Sequence, residues 1–210
     1  MNEDEIPVRE PLFRAPWPAV AVPVVLVAAY LWQSLPGSDV VAMNRALSPI
    51  GIAGGRYETL LTYQVIHAGW AHLAVNSLSA FAFGPPVARC LGASARGVTC
   101  FFAFFLICGV LSGLGYVIPH WGESDLAVGA SGAISGLWGA ASRLLIGRGQ
   151  LAPITNRMAL TQGAAFMVVN VVVGLLGGLA AMNIAWEAHV AGYIAGLLLI
   201  GPAARLAGRV

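Results

Sequence analysis

Lysine is missing from this 210-residue chain; all eleven basic residues are arginine, a compositional habit rather than a functional signal. Charge of either sign is scarce. Only 10% of residues are Asp, Glu, Lys or Arg, where a soluble domain carries about 25%, and this excludes a surface that mainly faces water. Cysteine is limited to Cys90, Cys100 and Cys108, an odd count with no Cys-x-x-Cys spacing. That excludes a disulfide framework or a zinc ribbon, and inside apolar runs such thiols act as small hydrophobes. Metalloprotease-type histidine spacing is absent, and no carboxylate or cysteine joins His67, His72 and His189, so no metal is expected. A net charge of +2 gives no reason to expect a nucleic-acid partner. There is no internal repeat of the kind that marks many transporters.

What the chain does have is apolar surface. Hydrophobic residues make up 58% and glycine is frequent at 26; mean hydropathy is +0.79. Glycine is commoner in membrane helices than in soluble ones. These values imply an all-α, polytopic membrane helical bundle forming one domain. The N-terminus opens acidic and fits a signal peptide poorly, so the first apolar run is expected to be retained as a membrane helix.

A membrane span needs about 20 mainly apolar residues. Six candidates are found, at about 17–35, 70–92, 96–118, 131–147, 158–181 and 187–206. Charge orients them. With the N-terminus inside, segments 1–16, 89–97, 143–157 and 205–210 hold Arg9, Arg14, Arg89, Arg96, Arg143, Arg148, Arg157, Arg205 and Arg209, nine of the eleven. Segments 36–69, 119–130 and 182–188 hold Arg45 and Arg56 against five acids, Asp39, Glu58, Glu123, Asp125 and Glu187. The positive-inside rule predicts this asymmetry. The expected organisation is therefore a cytoplasmic segment 1–16, a six-helix membrane domain 17–206 and a cytoplasmic end 207–210. The expected location is the inner (plasma) membrane of a bacterium. Segment 36–69 has no low-complexity run and is expected to be an ordered loop lying partly in the membrane.

Polar groups within spans are rare and costly, and each is a functional candidate. His72 and Asn76 fall near the outer end of the second span, Ser131 opens the fourth, and His189 lies near the outer end of the sixth. All four share a depth. Ser131 follows Gly129-Ala130 and precedes Gly132. It reads either as a helix N-cap or as a nucleophile beside free N–H groups and the positive end of a helix dipole. A serine hydroxyl needs a base beside it, and His189 is the candidate on another helix. Gly192 and Gly196 in the last span, and Gly132, Gly136 and Ala140 in the fourth, form two small-residue stripes. Such faces let membrane helices meet backbone to backbone, which would bring Ser131 and His189 within reach. No carboxylate lies in either span to orient the histidine, so a dyad is expected, with His189 as general base. His72 and Asn76, four residues apart, share a helix face; they make either an interhelical polar contact or an oxyanion hole. His67 is expected to anchor the loop entering the second span.

These residues resemble the rhomboid family of intramembrane serine proteases. His67-x4-His72-x3-Asn76, Gly129-Ala130-Ser131-Gly132 with Gly139, and Ala188-His189-x2-Gly192-x3-Gly196 are similar to its three motifs, in order, over spans two to six. The resemblance implies a Ser131–His189 dyad cleaving single-pass transmembrane proteins near the outer face, with no cofactor. It implies an oxyanion hole from His72, Asn76 and the Ser131 backbone N–H, and substrate entry from the lipid beside span five. Three positions depart from the family pattern. Glu58-Thr59 stand where Trp-Arg is common, with Arg56 nearby as a substitute anchor. Ser135 stands where a Tyr often stacks beneath the histidine, and Ala88 replaces a common Glu. Two rival readings are a catalytically inactive rhomboid-fold binder of membrane helices and a small transporter. The intact Ser–His pair opposes the first; the clustering of polar groups near the outer surface, not the midplane, opposes the second. No oligomeric state is indicated.

Overall fold

The computed structural model describes residues 15–144, 151–179 and 184–209. The helices in chain order are α1 (Trp17–Gln33), α2 (Ser38–Met43), α3 (Pro49–Ala53), α4 (Thr59–Thr62), α5 (Trp70–Leu91), α6 (Ala95–Val117), α7 (Ser131–Leu144), α8 (Arg157–Leu179) and α9 (Trp186–Leu206), with a 3-10 turn at Tyr63–Val65. No strand forms among the described residues; an isolated antiparallel bridge joins Leu47 and Ala127. α6, α8 and α9 are each long and apolar enough to cross a membrane, and α1 is a shorter apolar helix. This is a multi-pass membrane protein. Each of the six apolar segments coincides with a helix to within a few residues. Residues 145–147 and 180–181, assigned to the fourth and fifth spans, lie outside the described residues, as do most of segment 1–16 and Arg148.

Local sequence explains several boundaries. Ser94 starts α6 by accepting the Gly97 N–H at 3.1 Å, and Ser48 does the same for α3 with the Gly51 N–H at 3.1 Å, each satisfying a donor that the first helical turn leaves unpaired. Pro49 follows Ser48 at the first position of α3, where a missing N–H costs nothing.

The short helix α7 occupies the centre, with Gly132 to Leu137 all buried. Its partner is α9, and the two meet without side chains between them. A β-carbon on Gly192 would strike the Gly132 carbonyl, one on Gly196 the Gly136 carbonyl, and one on Gly139 the Tyr193 carbonyl. α6 closes the third side. Ser112 fills the notch left by Gly132 and donates its hydroxyl to the Ala188 carbonyl at 2.8 Å. At the C-terminal end of α7 the Arg143 guanidinium donates to the carbonyls of Ala152 (2.8 Å) and Leu197 (2.9 Å), tying the last turn of α7 to α9.

Segment 34–69 is ordered by backbone contacts. The Gln33 amide and the His67 backbone pair reciprocally, Nε2 to carbonyl at 2.7 Å and N–H to Oε1 at 3.0 Å. Leu47 and Ala127 exchange two backbone bonds of 3.0 and 2.8 Å, Ile50 N–H donates to Glu123 O at 2.9 Å, and Gly129 N–H to Tyr63 O at 2.9 Å. Arg56 donates to the Asn44 carbonyl, and Thr62 to that of Arg45 at 2.9 Å. The first loop thus grips the segment that leads into α7.

The glycine seam makes a direct prediction. Gly196→Val places carbon against backbone that cannot move aside, and overpacking of this kind costs about 3 kcal/mol or more. Gly174, with open space around it, should tolerate alanine and gain up to about 1 kcal/mol from helix propensity. Unfolding of the two variants in detergent micelles should move in opposite directions from the native protein; equal stability of Gly196→Val would show that α7 and α9 are not held this way.

Candidate active site

A cavity of about 620 Å³ opens between α5, α7, α8 and α9. Ser131, His189, His72 and Asn76 all line it, so four groups from three distant stretches of sequence share one space.

Ser131 is the first residue of α7. The turn before it requires Gly129, whose φ of +112° is closed to other residues. A side chain there would also collide with His72: an added β-carbon would lie 2.6 Å from Cε1 and 2.7 Å from Nε2. The His72 ring therefore rests against the backbone just ahead of the serine. Across the α7–α9 seam, His189 Nε2 is 2.9 Å from Ser131 Oγ, a hydrogen-bonding distance.

The other ring nitrogen has a partner that sequence reasoning passed over. His189 Nδ1 is 2.9 Å from Oδ1 of Asn170, a buried residue of α8. The only signal in the sequence is that this amide stands alone in the run Met167-Val-Val-Asn-Val-Val-Val.

Asn76 is buried, and its Nδ2 donates one hydrogen to the His72 carbonyl at 2.9 Å. The second Nδ2 hydrogen stays available to the cavity. His72 Nδ1 lies 3.4 Å from the Ala68 N–H, so it accepts there. In a neutral ring the proton then sits on Nε2, the nitrogen facing Gly129. His67 grips Gln33 through its backbone, while its imidazole is buried against Tyr30 and His72 (ring centroids 6.5 and 5.2 Å). Ser135 turns its hydroxyl back to the Ser131 carbonyl at 2.8 Å, and so places no ring beneath His189. Phe83, Trp138 and Phe166 line the cavity: Phe83 stacks on Trp138 (4.5 Å), Trp138 is edge-on to Phe166 (5.3 Å), and Phe166 stacks in turn on Tyr193 (4.3 Å). Among the described residues no group of three or more His, Cys, Asp or Glu side chains is placed to hold a metal ion.

The Rhomboid domain matches residues 54–205, most of the chain and every element of the site. The chain belongs to the rhomboid family. A protein of Bacillus subtilis strain 168, YdcA, provisionally named a rhomboid protease, is 31% identical over 180 residues, 84% of either chain. The rhomboid protease GluP of the same organism is 32% identical over 146 residues, 69% of this chain and 26% of that longer protein.

Beside this rhomboid site lies a second polar contact, in the segment between α6 and α7. His120 Nδ1 is 2.8 Å from Glu123 Oε2, and its Nε2 is 3.2 Å from Glu187 Oε1, two residues before His189. Tyr116 stacks on the same ring at 5.0 Å. The Glu123 carboxylate first, then that of Glu187, hold the His120 imidazolium above its ordinary value of 6.5. A group whose pKa rises on folding adds stability that is fully present below its unfolded value and is lost as pH climbs through the folded one. Wild type should thus unfold at higher temperature than His120→Gln near about pH 6, with the gap closing toward about pH 9. A gap that widens with pH would contradict the bridge.

Proposed function

We propose that the chain is a rhomboid-type intramembrane serine endopeptidase acting on single-pass transmembrane proteins. The observation that carries this reading is the 2.9 Å approach of His189 Nε2 to Ser131 Oγ, made in a cavity that also holds His72 and Asn76. In the proposed reaction Ser131 Oγ attacks a peptide carbonyl of the substrate as His189 Nε2 takes its proton. The developing oxyanion accepts hydrogen bonds from the Ser131 backbone N–H, His72 Nε2–H and the second Asn76 Nδ2–H. Such donors gain strength in an apolar cavity, each contributing about 10²–10³-fold to rate. His189 returns the proton to the leaving amine and an acyl-enzyme remains on Ser131. A water, deprotonated by His189, releases the second product. No cofactor takes part.

The membrane setting follows from charge. Six crossings, with both termini cytoplasmic, place Ser131 and His189 toward the outer side of the inner membrane. α7 crosses within the bundle, where neighbouring helices replace lipid, while α5 has one face toward the bundle and one outward. Exposed apolar residues such as Leu78, Val168 and Leu175 (70%, 63% and 66% accessible) fit contact with lipid on either side of the α5–α8 opening. A substrate helix must unwind before its amides are reached, so small or helix-breaking residues at the cleavage site favour the reaction.

Purified protein in proteoliposomes, given a tagged single-pass substrate, should release two fragments. Ser131→Ala or His189→Ala should lower the rate by about 10³-fold or more, and Asn76→Ala by about 10²-fold. A fluorophosphonate probe should label Ser131 in the folded wild type. Cleavage at the wild-type rate by Ser131→Ala would sink the reading, and a folded wild type that neither cleaves nor labels would be a binder of membrane helices.

A further inference from the structure

Asn170 is the one amide in the apolar middle of α8, and it is buried, with 5% of its surface accessible. Burying an amide is costly unless both of its ends are paired. Both are: Nδ2 lies 3.3 Å from the Trp186 carbonyl and Oδ1 lies 2.9 Å from His189 Nδ1. Hydrogen-bond polarity then fixes the whole chain. A carbonyl oxygen only accepts, so the amide end at Trp186 must be the donor, Nδ2. That leaves Oδ1, which only accepts, facing the imidazole. His189 Nδ1 must therefore carry the ring proton. A neutral imidazole has one N–H, so Nε2 holds the lone pair, and the Ser131 hydroxyl donates to it across 2.9 Å.

We propose that Asn170 is a positioning residue of the active site, which holds His189 in the tautomer and rotation a general base requires. This rests on the protease reading. Asn170 touches neither substrate nor reacting atoms; it acts through His189. Two other features give it this task. Glu187, the carboxylate in the first turn of α9, is bonded to His120, and Ser135 offers no ring beneath the imidazole, so among the described residues the side-chain hydrogen bond to Nδ1 comes from Asn170. Trp186, which receives the other end of the amide, opens α9, three residues before His189. Asn170 thus measures the imidazole against the backbone of its own helix. Without it, either ring nitrogen can carry the proton, and the form with Nε2–H cannot accept from serine.

The test measures kcat and KM for cleavage by wild type, Asn170→Leu and Asn170→Asp, with the rate of fluorophosphonate labelling at Ser131 alongside. Leucine keeps the volume and removes the acceptor; kcat and labelling rate should fall by about 10²-fold with KM within about threefold of wild type. Aspartate restores an oxygen beside Nδ1, and should recover at least about tenfold of that loss. Should the leucine variant fail to fold, Asn170→Ala removes the acceptor with a smaller side chain. A leucine variant within about threefold of wild type in kcat, or aspartate and leucine variants equally slow, would overturn the positioning role. Failure of wild type itself to cleave or label would instead overturn the protease reading, and this proposal with it.

Discussion

Backbone-to-backbone contact between α7 and α9 is the constraint on which the rest of the molecule depends. Lipid tails are as apolar as leucine, so burial from water does not press membrane helices together. Close approach has to come from shape. Gly132, Gly136 and Gly139 on one helix face Gly192, Tyr193 and Gly196 on the other, with carbonyl oxygens filling the space a methyl would need. At this separation the side chains at the N-terminal ends of the two helices, Ser131 and His189, reach one another directly. One added carbon at Gly139, Gly192 or Gly196 would push the two helices apart, and one at Gly132 or Gly136 would strike Ser112 or Cys108 of α6. Site geometry and fold stability therefore reside in the same few residues.

The first loop contributes in a different way. Its grip on the segment before α7 uses backbone bonds almost throughout, from Leu47 to Ala127, Ile50 to Glu123 and Tyr63 to Gly129. Backbone bonds are indifferent to side-chain identity, so the loop holds position without an aromatic–arginine pair before Leu60. Arg56, bonded to the Asn44 carbonyl, ties the loop to itself instead. Gly129 links the two halves. It accepts the left-handed turn that starts α7 and leaves room for the His72 ring.

How much of this could be read from sequence depends on the kind of force involved. Apolar runs announced the helices because hydropathy is a property of the residues themselves. α5, with its histidine, asparagine and serines, and α7, with fourteen residues, fall short of a spanning signal; their apolar runs were read as candidate spans, and the distribution of arginine around them supported counting them. Ser131, His189, His72 and Asn76 stood out as polar groups in apolar surroundings. Asn170 met the same description but has no charge and no companion at helical spacing, so nothing local tied it to His189. His120 lies in the segment between α6 and α7, where a polar residue is unremarkable; its tie to Glu187 spans 67 positions. The reciprocal pairing of Gln33 with the His67 backbone has no sequence signature, because a backbone is present everywhere.

The hydrogen-bonded run from Ser131 through His189 to Asn170 and the Trp186 carbonyl ends in an amide and not in a carboxylate. At rest it therefore carries no net charge, and an apolar helix arriving through lipid meets only dipoles. In the proposed reaction charge appears as a matched pair, imidazolium and oxyanion, born a few ångströms apart and cancelled when the amine leaves. A medium of low dielectric penalises isolated ions severely but tolerates a short-lived pair. The proposed hydrolysis inside a bilayer would thereby use a site that is ionic only during the chemical step.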